Sequence, residues 1–189
     1  MKRIAIFASG TGSNAKKIVE YFKEDKSITV SLIVSNKSKA KVLEMAQAQG
    51  IEQLLIGRPF FYESEEIVSL FRKKKIDLVV LAGFLWLVPK YLVQAFPNQI
   101  INIHPALLPK YGGKGMYGMN VHRAVKAANE KKTGLTIHYV NENYDEGSYI
   151  FKAACSLSGT ETPQEIAAKV LKMEHKYFPK VLEKILKEQ

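Results

Sequence analysis

The chain has 189 residues, 47% of them hydrophobic and 24% charged, which is the composition of an ordinary globular protein with one substantial core. A single cysteine, Cys155, excludes an internal disulfide and any cysteine-cluster metal site, and no stretch approaches the roughly 20 apolar residues of a membrane helix. The formal charge of +10 lies partly in runs such as Arg72-Lys73-Lys74-Lys75, read as a solvated face. An excess of that sign also steers anionic substrates or binds nucleic acid weakly, but no interleaved aromatic–basic platform accompanies it.

Residues 3–8 form an apolar strand, too short and too soon followed by polar glycines for a signal peptide, which points to the cytoplasm. Ser9-Gly10-Thr11-Gly12-Ser13-Asn14 is a glycine-rich turn, and a helix follows to about Asp25. Ile28–Ser35 is a second strand; Asn36-Lys37-Ser38 caps a helix that ends at Gly50. Gln53–Ile56 is a short strand, Arg58–Tyr62 a loop, and Glu63–Lys74 an amphipathic helix. Asp77–Ala82 reads as a central parallel strand buried on both faces. A helix starts near Pro89, and Ile100–His104 is the next strand. Lys110–Met119 holds four glycines and reads as an adaptable loop before a helix over Asn120–Asn129. Thr133–Val140 and Ser148–Leu157 form an antiparallel pair joined by the acidic turn 141–147, with Cys155 as core packing. The last helix, from Thr162-Pro163 onward, carries an apolar stripe of Ile166, Val170, Met173, Tyr177, Val181 and Ile185, and Pro179 is expected to kink or interrupt it. Alternating strands and helices at this spacing predict an α/β fold in one domain, 1–189. It has a doubly wound, mainly parallel sheet, an antiparallel C-terminal strand pair and a long C-terminal helix.

The chemistry is expected at the end of the 100–104 strand. Side chains alternate along a strand, so Asn102 and His104 share one face while Ile101 and Ile103 share the other. Pro105 drives the chain out of the sheet, leaving His104 at a strand's carboxyl end, where ligands of open α/β sheets bind. On its own, such a pair is as well explained by loop tethering and a hydrogen-bonded core histidine. Three features favour a site. Gly12, Ser13 and Asn14 place a glycine turn at a helix N-terminus, which suits a phosphate; no carboxylate ends the second strand, which disfavours NAD, although Lys37, Lys39 and Lys41 leave NADP open. Gly83–Pro89, with Leu85, Trp86, Leu87 and Val88, puts apolar and aromatic residues at a strand end, as a pocket for a flat heteroaromatic ligand would, or as a hydrophobic helix lead-in. Asp145 in the acidic turn would hold His104 protonated if it reaches it, with Glu142 and Glu146 as rivals.

Asn102-x-His104-Pro105-x-Leu107-Leu108-Pro109 with a later Asp145 resembles the folate-dependent formyltransferases. Gly10-x-Gly12-Ser13-Asn14 and Glu174-His175 are similar to their glycinamide ribonucleotide (phosphoribosylglycinamide) formyltransferase branch. The resemblance covers essentially the whole chain and leaves no room for the extra domains of methionyl-tRNA formyltransferases or formyltetrahydrofolate hydrolases. It implies a Rossmann-like formyltransferase fold and transfer of a formyl group from 10-formyltetrahydrofolate, as co-substrate, to glycinamide ribonucleotide in purine synthesis. Asn102, His104 and Asp145 would be catalytic. Gly12, Ser13, Asn14 and Glu174 would bind the ribonucleotide; Leu85, Trp86, Leu87, Val88, Asn102 and Asn141 would bind folate. No metal, nucleic acid or membrane is implied, and the partners are the two small molecules, with the chain as a monomer or weak homodimer. Two positions depart from the pattern: Trp86 stands where many members carry a basic residue, and Phe60 where some carry the arginine for the folate tail, with Arg58 as its substitute. The loop Gly112–Met119 is also longer than in many members.

Overall fold

The computed structural model describes residues 1–188. The elements run β1 (Lys2–Phe7), α1 (Ser13–Phe22), β2 (Ile28–Ser35), α2 (Lys41–Ala48), β3 (Glu52–Leu55), α3 (Arg58–Tyr62), α4 (Glu66–Lys74), β4 (Leu78–Leu81), α5 (Lys90–Ala95), β5 (Ile100–His104), α6 (Met119–Ala127), β6 (Lys132–Tyr139), β7 (Tyr149–Ser156) and α7 (Pro163–Glu188). The strand order is β3-β2-β1-β4-β5-β6-β7. The first five are mutually parallel, and β6 and β7 are antiparallel additions at one edge, as the sequence pattern predicts.

Alternation along β1 explains the two layers. Ile4 and Ile6 pack with α1, α2 and α7 on one face, while Ala5 and Phe7 pack with α3, α4 and α5 on the other. Both faces of the sheet are covered, which is why β4 reads as an unbroken apolar run. Among the described residues no helix is long and apolar enough to cross a membrane.

Several boundaries differ from the sequence reading. Arg58–Tyr62 is a short helix rather than a loop: Gly57 is extended, Pro59 fits the first turn, and the Phe61 N–H donates to the Gly57 carbonyl at 3.0 Å. That turn displaces the start of α4 to Glu66. Asn36-Lys37-Ser38 is a separate turn, held by Ser35 Oγ, and the residue preceding α2 is Ala40. Helix α1 ends at Phe22 because Asp25 closes its own turn, accepting from Ser27 and Ile28. Helix α7 continues through Pro179 without interruption. A proline there forgoes one helical hydrogen bond, at about 3 kcal/mol, which burial of Phe178, Leu182, Ile185 and Leu186 offsets. Cys155 lies on the edge strand β7 and is only half-buried, because that strand has one free side.

Candidate active site

The parallel order β1-β4-β5 brings the ends of three strands to one rim. The Ser9 N–H donates to the Gly83 carbonyl at 3.0 Å, and the Leu85 N–H donates to Ser9 Oγ at 3.0 Å, so the first turn and the Gly83–Pro89 segment are bonded neighbours. Gly12 stands at the start of α1 with φ +71, and no side chain caps the helix there. The first N–H groups of α1 are left to an external acceptor. A Cβ on Gly12 would lie 2.5 Å from Val42 Cγ2, so the glycine is also what lets α2 approach.

Asn14 and Glu174, 160 residues apart, meet because α7 packs on α1. Asn14 Nδ2 donates to Glu174 Oε2 at 2.5 Å. Burial pushes the Glu174 carboxyl above its ordinary range, and the Asn14 bond opposes that only in part. Asn14 Oδ1 is buried with no partner, an acceptor left over beside the phosphate-type turn.

Asn102, His104 and Asp145 converge as their residue types suggest. Asn102 Nδ2 lies 3.3 Å from Asp145 Oδ1, and His104 Nδ1 lies 3.4 Å from Asp145 Oδ2. Glu142 pairs with Lys90 at 3.4 Å and Glu146 accepts from Asn143 at 2.8 Å, so Asp145 is the carboxylate of the turn that reaches the histidine. Asp145 itself has φ +58, and its Oδ2 also accepts the Gly113 N–H at 2.9 Å. His104 Nε2 donates to the Tyr111 carbonyl at 2.7 Å. Both ring nitrogens of His104 therefore face acceptors. Thr136 holds the loop below: its hydroxyl accepts from the Leu108 N–H and donates to the Ala106 carbonyl, at 3.0 and 2.8 Å.

Burial alone would raise the Asp145 carboxyl. The imidazoles of His104 and His138 beside it, the charge of His104 and the Gly113 amide outweigh it and hold the carboxyl well below the usual range. A carboxyl depressed in the fold adds stability above its unfolded value of about 4 and loses it as pH falls through the folded value. Denaturant titrations of Asp145→Asn against wild type are therefore expected to show a gap that narrows as pH falls from about 7 towards about 3. A gap constant over that window would contradict this.

Sequence reasoning missed four contributors. His138 pairs across the sheet with Asn102; its Nε2 lies 3.1 Å from Asn102 Nδ2 and 3.6 Å from Asp145 Oδ1, and its Nδ1 donates to the Tyr139 carbonyl at 2.8 Å. Only the β5–β6 register could have found it. The Tyr111 carbonyl and Gly113 amide are main-chain groups, to which residue types give no clue. His122 on α6 is buried, and burial first, then the charge of His104, lowers its pKa. Among the described residues no group of three or more His, Cys, Asp or Glu has metal-holding geometry.

The Gly83–Pro89 segment is mixed in character. Leu85 is exposed, Trp86 and Leu87 are half-buried, and Val88 belongs to the core with Leu92 and Phe96. The Arg58 guanidinium sits 5.0 Å over the Trp86 ring and 5.8 Å over Tyr62, whose hydroxyl donates to the Leu87 carbonyl at 3.0 Å. Phe60 is half-buried nearby in sequence, and Asn141 is half-buried and accepts the Asn143 N–H at 3.0 Å.

Residues 2–182 match the family described as formyl transferase. The chain is 43% identical over 195 residues to "Phosphoribosylglycinamide formyltransferase, chloroplastic" of Arabidopsis thaliana, covering 100% of this chain and 66% of that protein. It is 36% identical to the phosphoribosylglycinamide formyltransferase of Bacillus subtilis, over 98% of this chain and 95% of that one. The crystal structure of phosphoribosylglycinamide formyltransferase from Anaplasma phagocytophilum superposes with a TM-score of 0.89 at 33% identity, covering 98% of this chain and 87% of that one. The chain thus spans just under two thirds of the plant relative's length and nearly all of the Bacillus one.

Proposed function

The chain belongs to the formyl transferase family, and we propose that it moves the formyl group of 10-formyltetrahydrofolate onto the amine of glycinamide ribonucleotide, giving formylglycinamide ribonucleotide and tetrahydrofolate in purine synthesis. The observation that carries the reading is the convergence of Asn102, His104 and Asp145 on the rim that also holds the uncapped Gly12–Asn14 turn. The relatives' names support the choice of substrates.

In this reading the ribonucleotide phosphate takes the free N–H groups at Gly12, Ser13 and Asn14, with Glu174 and the spare Asn14 Oδ1 facing the ribose or glycinamide part. The folate ring lies along Leu85, Trp86 and Leu87, near Asn141; Val88 supports that wall from the core. Arg58, stacked on Trp86, stands in for the arginine missing at Phe60 towards the folate tail.

The amine attacks the formyl carbon; a C–N bond forms and the carbonyl electron pair moves onto oxygen. That oxyanion needs donors already in place. Asn102 Nδ2 and His104 Nδ1 reach Asp145 only at 3.3 and 3.4 Å, long enough for an oxygen to share them. The intermediate collapses by breaking the bond to the folate nitrogen, and the proton lost by the amine passes to that nitrogen through Asp145 and water.

The test is to mix the protein with both substrates and follow folate absorbance, omitting each substrate in turn. A change that needs both is expected. A folded protein that gives no change with both present would overturn the reading; NADPH consumption, or steeply salt-dependent RNA binding, would replace it with the reductase or nucleic-acid alternative.

A further inference from the structure

The same loop that closes over His104 is anchored on its far side by a group the reaction does not touch. Tyr111 has φ +59, a left-handed conformation that is strained for a non-glycine residue. Such a conformation persists only where surrounding contacts hold it. Here the Tyr111 ring packs with Val125, Leu157 and Ile166. Its hydroxyl donates to Glu130 Oε1 at 2.8 Å, and Lys110 Nζ donates to the same oxygen at 2.9 Å. Glu130 in turn is fixed to the end of α6, its N–H donating to the Val125 carbonyl at 3.3 Å just after Asn129 at φ +50.

At the other end of Tyr111, the carbonyl receives the His104 Nε2–H at 2.7 Å, while the contacts of the Asn102, His104 and His138 side chains with Asp145 run from 3.3 to 3.6 Å. One ring nitrogen is tied and the other is loosely held. A histidine with one nitrogen fixed on an orienting acceptor works through the other. Nε2 is the anchor and Nδ1 the working nitrogen, aimed into the space it shares with Asn102 Nδ2.

We propose that Glu130 and the Tyr111 phenol are positioning residues: by clamping Tyr111 they hold its carbonyl on His104 Nε2 and so aim His104 Nδ1 at the reacting formyl group. Among the described residues the Tyr111 carbonyl is the only hydrogen-bond partner of Nε2, while Asp145 faces Nδ1. The kinetic part of this inference rests on the proposed formyl transfer; its spectroscopic part does not.

The experiment compares Tyr111→Phe, which keeps the packed ring, with Glu130→Ala and Glu130→Gln. Misaiming a catalytic group by a fraction of an ångström to an ångström costs about tenfold to a hundredfold. Tyr111→Phe and Glu130→Ala are expected to lower kcat about tenfold with both KM values within about twofold of wild type. Glu130→Gln, whose amide oxygen still accepts the phenol, is expected to recover most of that loss. In histidine labelled with ¹⁵N, without substrates, the slowly exchanging Nε2–H signal of His104 should be present in wild type and Glu130→Gln and lost in the other two. Retention of that signal in Tyr111→Phe and Glu130→Ala would overturn the proposal whether or not kcat falls, since a kcat loss with the signal intact would be a structural effect only. If the wild type transferred no formyl group, the function would fail, and the ring signal would still decide whether the clamp holds Nε2.

Discussion

Alanine at Asn102, at His104 or at Asp145 is expected to lower turnover by about 10²–10³ each while the protein stays folded. The three side chains sit at the end of β5 and in the turn after β6, outside the apolar core clusters, so their removal does not open the sheet. Each loss has its own cause. Asn102→Ala removes a neutral donor to the developing oxyanion. His104→Ala removes the Nδ1 donor proposed to share that role. Asp145→Ala leaves the His104 ring without its counter-charge and frees the Gly113 N–H that its carboxylate accepts at 2.9 Å. If His104 and Asp145 act as one unit, as proposed, the double variant His104→Ala/Asp145→Ala is expected to cost little more than the worse single one. Initial-rate measurements at saturating substrates check both statements; near-wild-type kcat in all three single variants would remove the catalytic assignment.

Ser13→Asp should abolish use of the ribonucleotide without harming the fold. Ser13 is the first residue of α1, whose first turn carries no acidic residue. An aspartate there complements the helix dipole and costs no stability. The same carboxylate would face the substrate phosphate, and like charges brought together cost several kcal/mol, which is about 10² or more in affinity. The expected result is a ribonucleotide KM raised at least about a hundredfold, an unchanged folate KM and an unchanged or higher melting temperature. An unchanged ribonucleotide KM would move the phosphate elsewhere. Gly12 makes a poorer probe than its place in the turn suggests. A Cβ there meets Val42 and the residue holds φ +71, so any replacement damages the α1–α2 packing and the phosphate seat together.

The parts of the site that follow strand alternation were legible in the sequence. Asn102 and His104 share a face because they are two apart on a strand that Pro105 ends. The parallel core follows from the spacing of apolar runs. Asp145 was legible as one of three acidic candidates, and selecting it required the path of a turn in which it adopts φ +58. His138 was hidden because its role comes from register: it stands opposite Asn102 only once β6 is known to run antiparallel to β5. The Tyr111 carbonyl and the Gly113 amide carry no side-chain signature at all. Of the two outcomes expected at Pro179, a kink or an interruption, the interruption does not occur, because the buried residues around it, Phe178 and Leu182, outweigh local propensity.

The most direct measurement is a crystal structure with glycinamide ribonucleotide and a folate analogue whose formyl-bearing nitrogen is replaced by carbon. The expected result places the phosphate on the N–H groups of Gly12, Ser13 and Asn14, and the oxygen of the formyl equivalent within hydrogen-bond reach of both Asn102 Nδ2 and His104 Nδ1, with Nε2 still on Tyr111. A folate ring away from the Leu85–Leu87 wall, or a phosphate away from the first turn, would contradict the assignment of this rim as the active site.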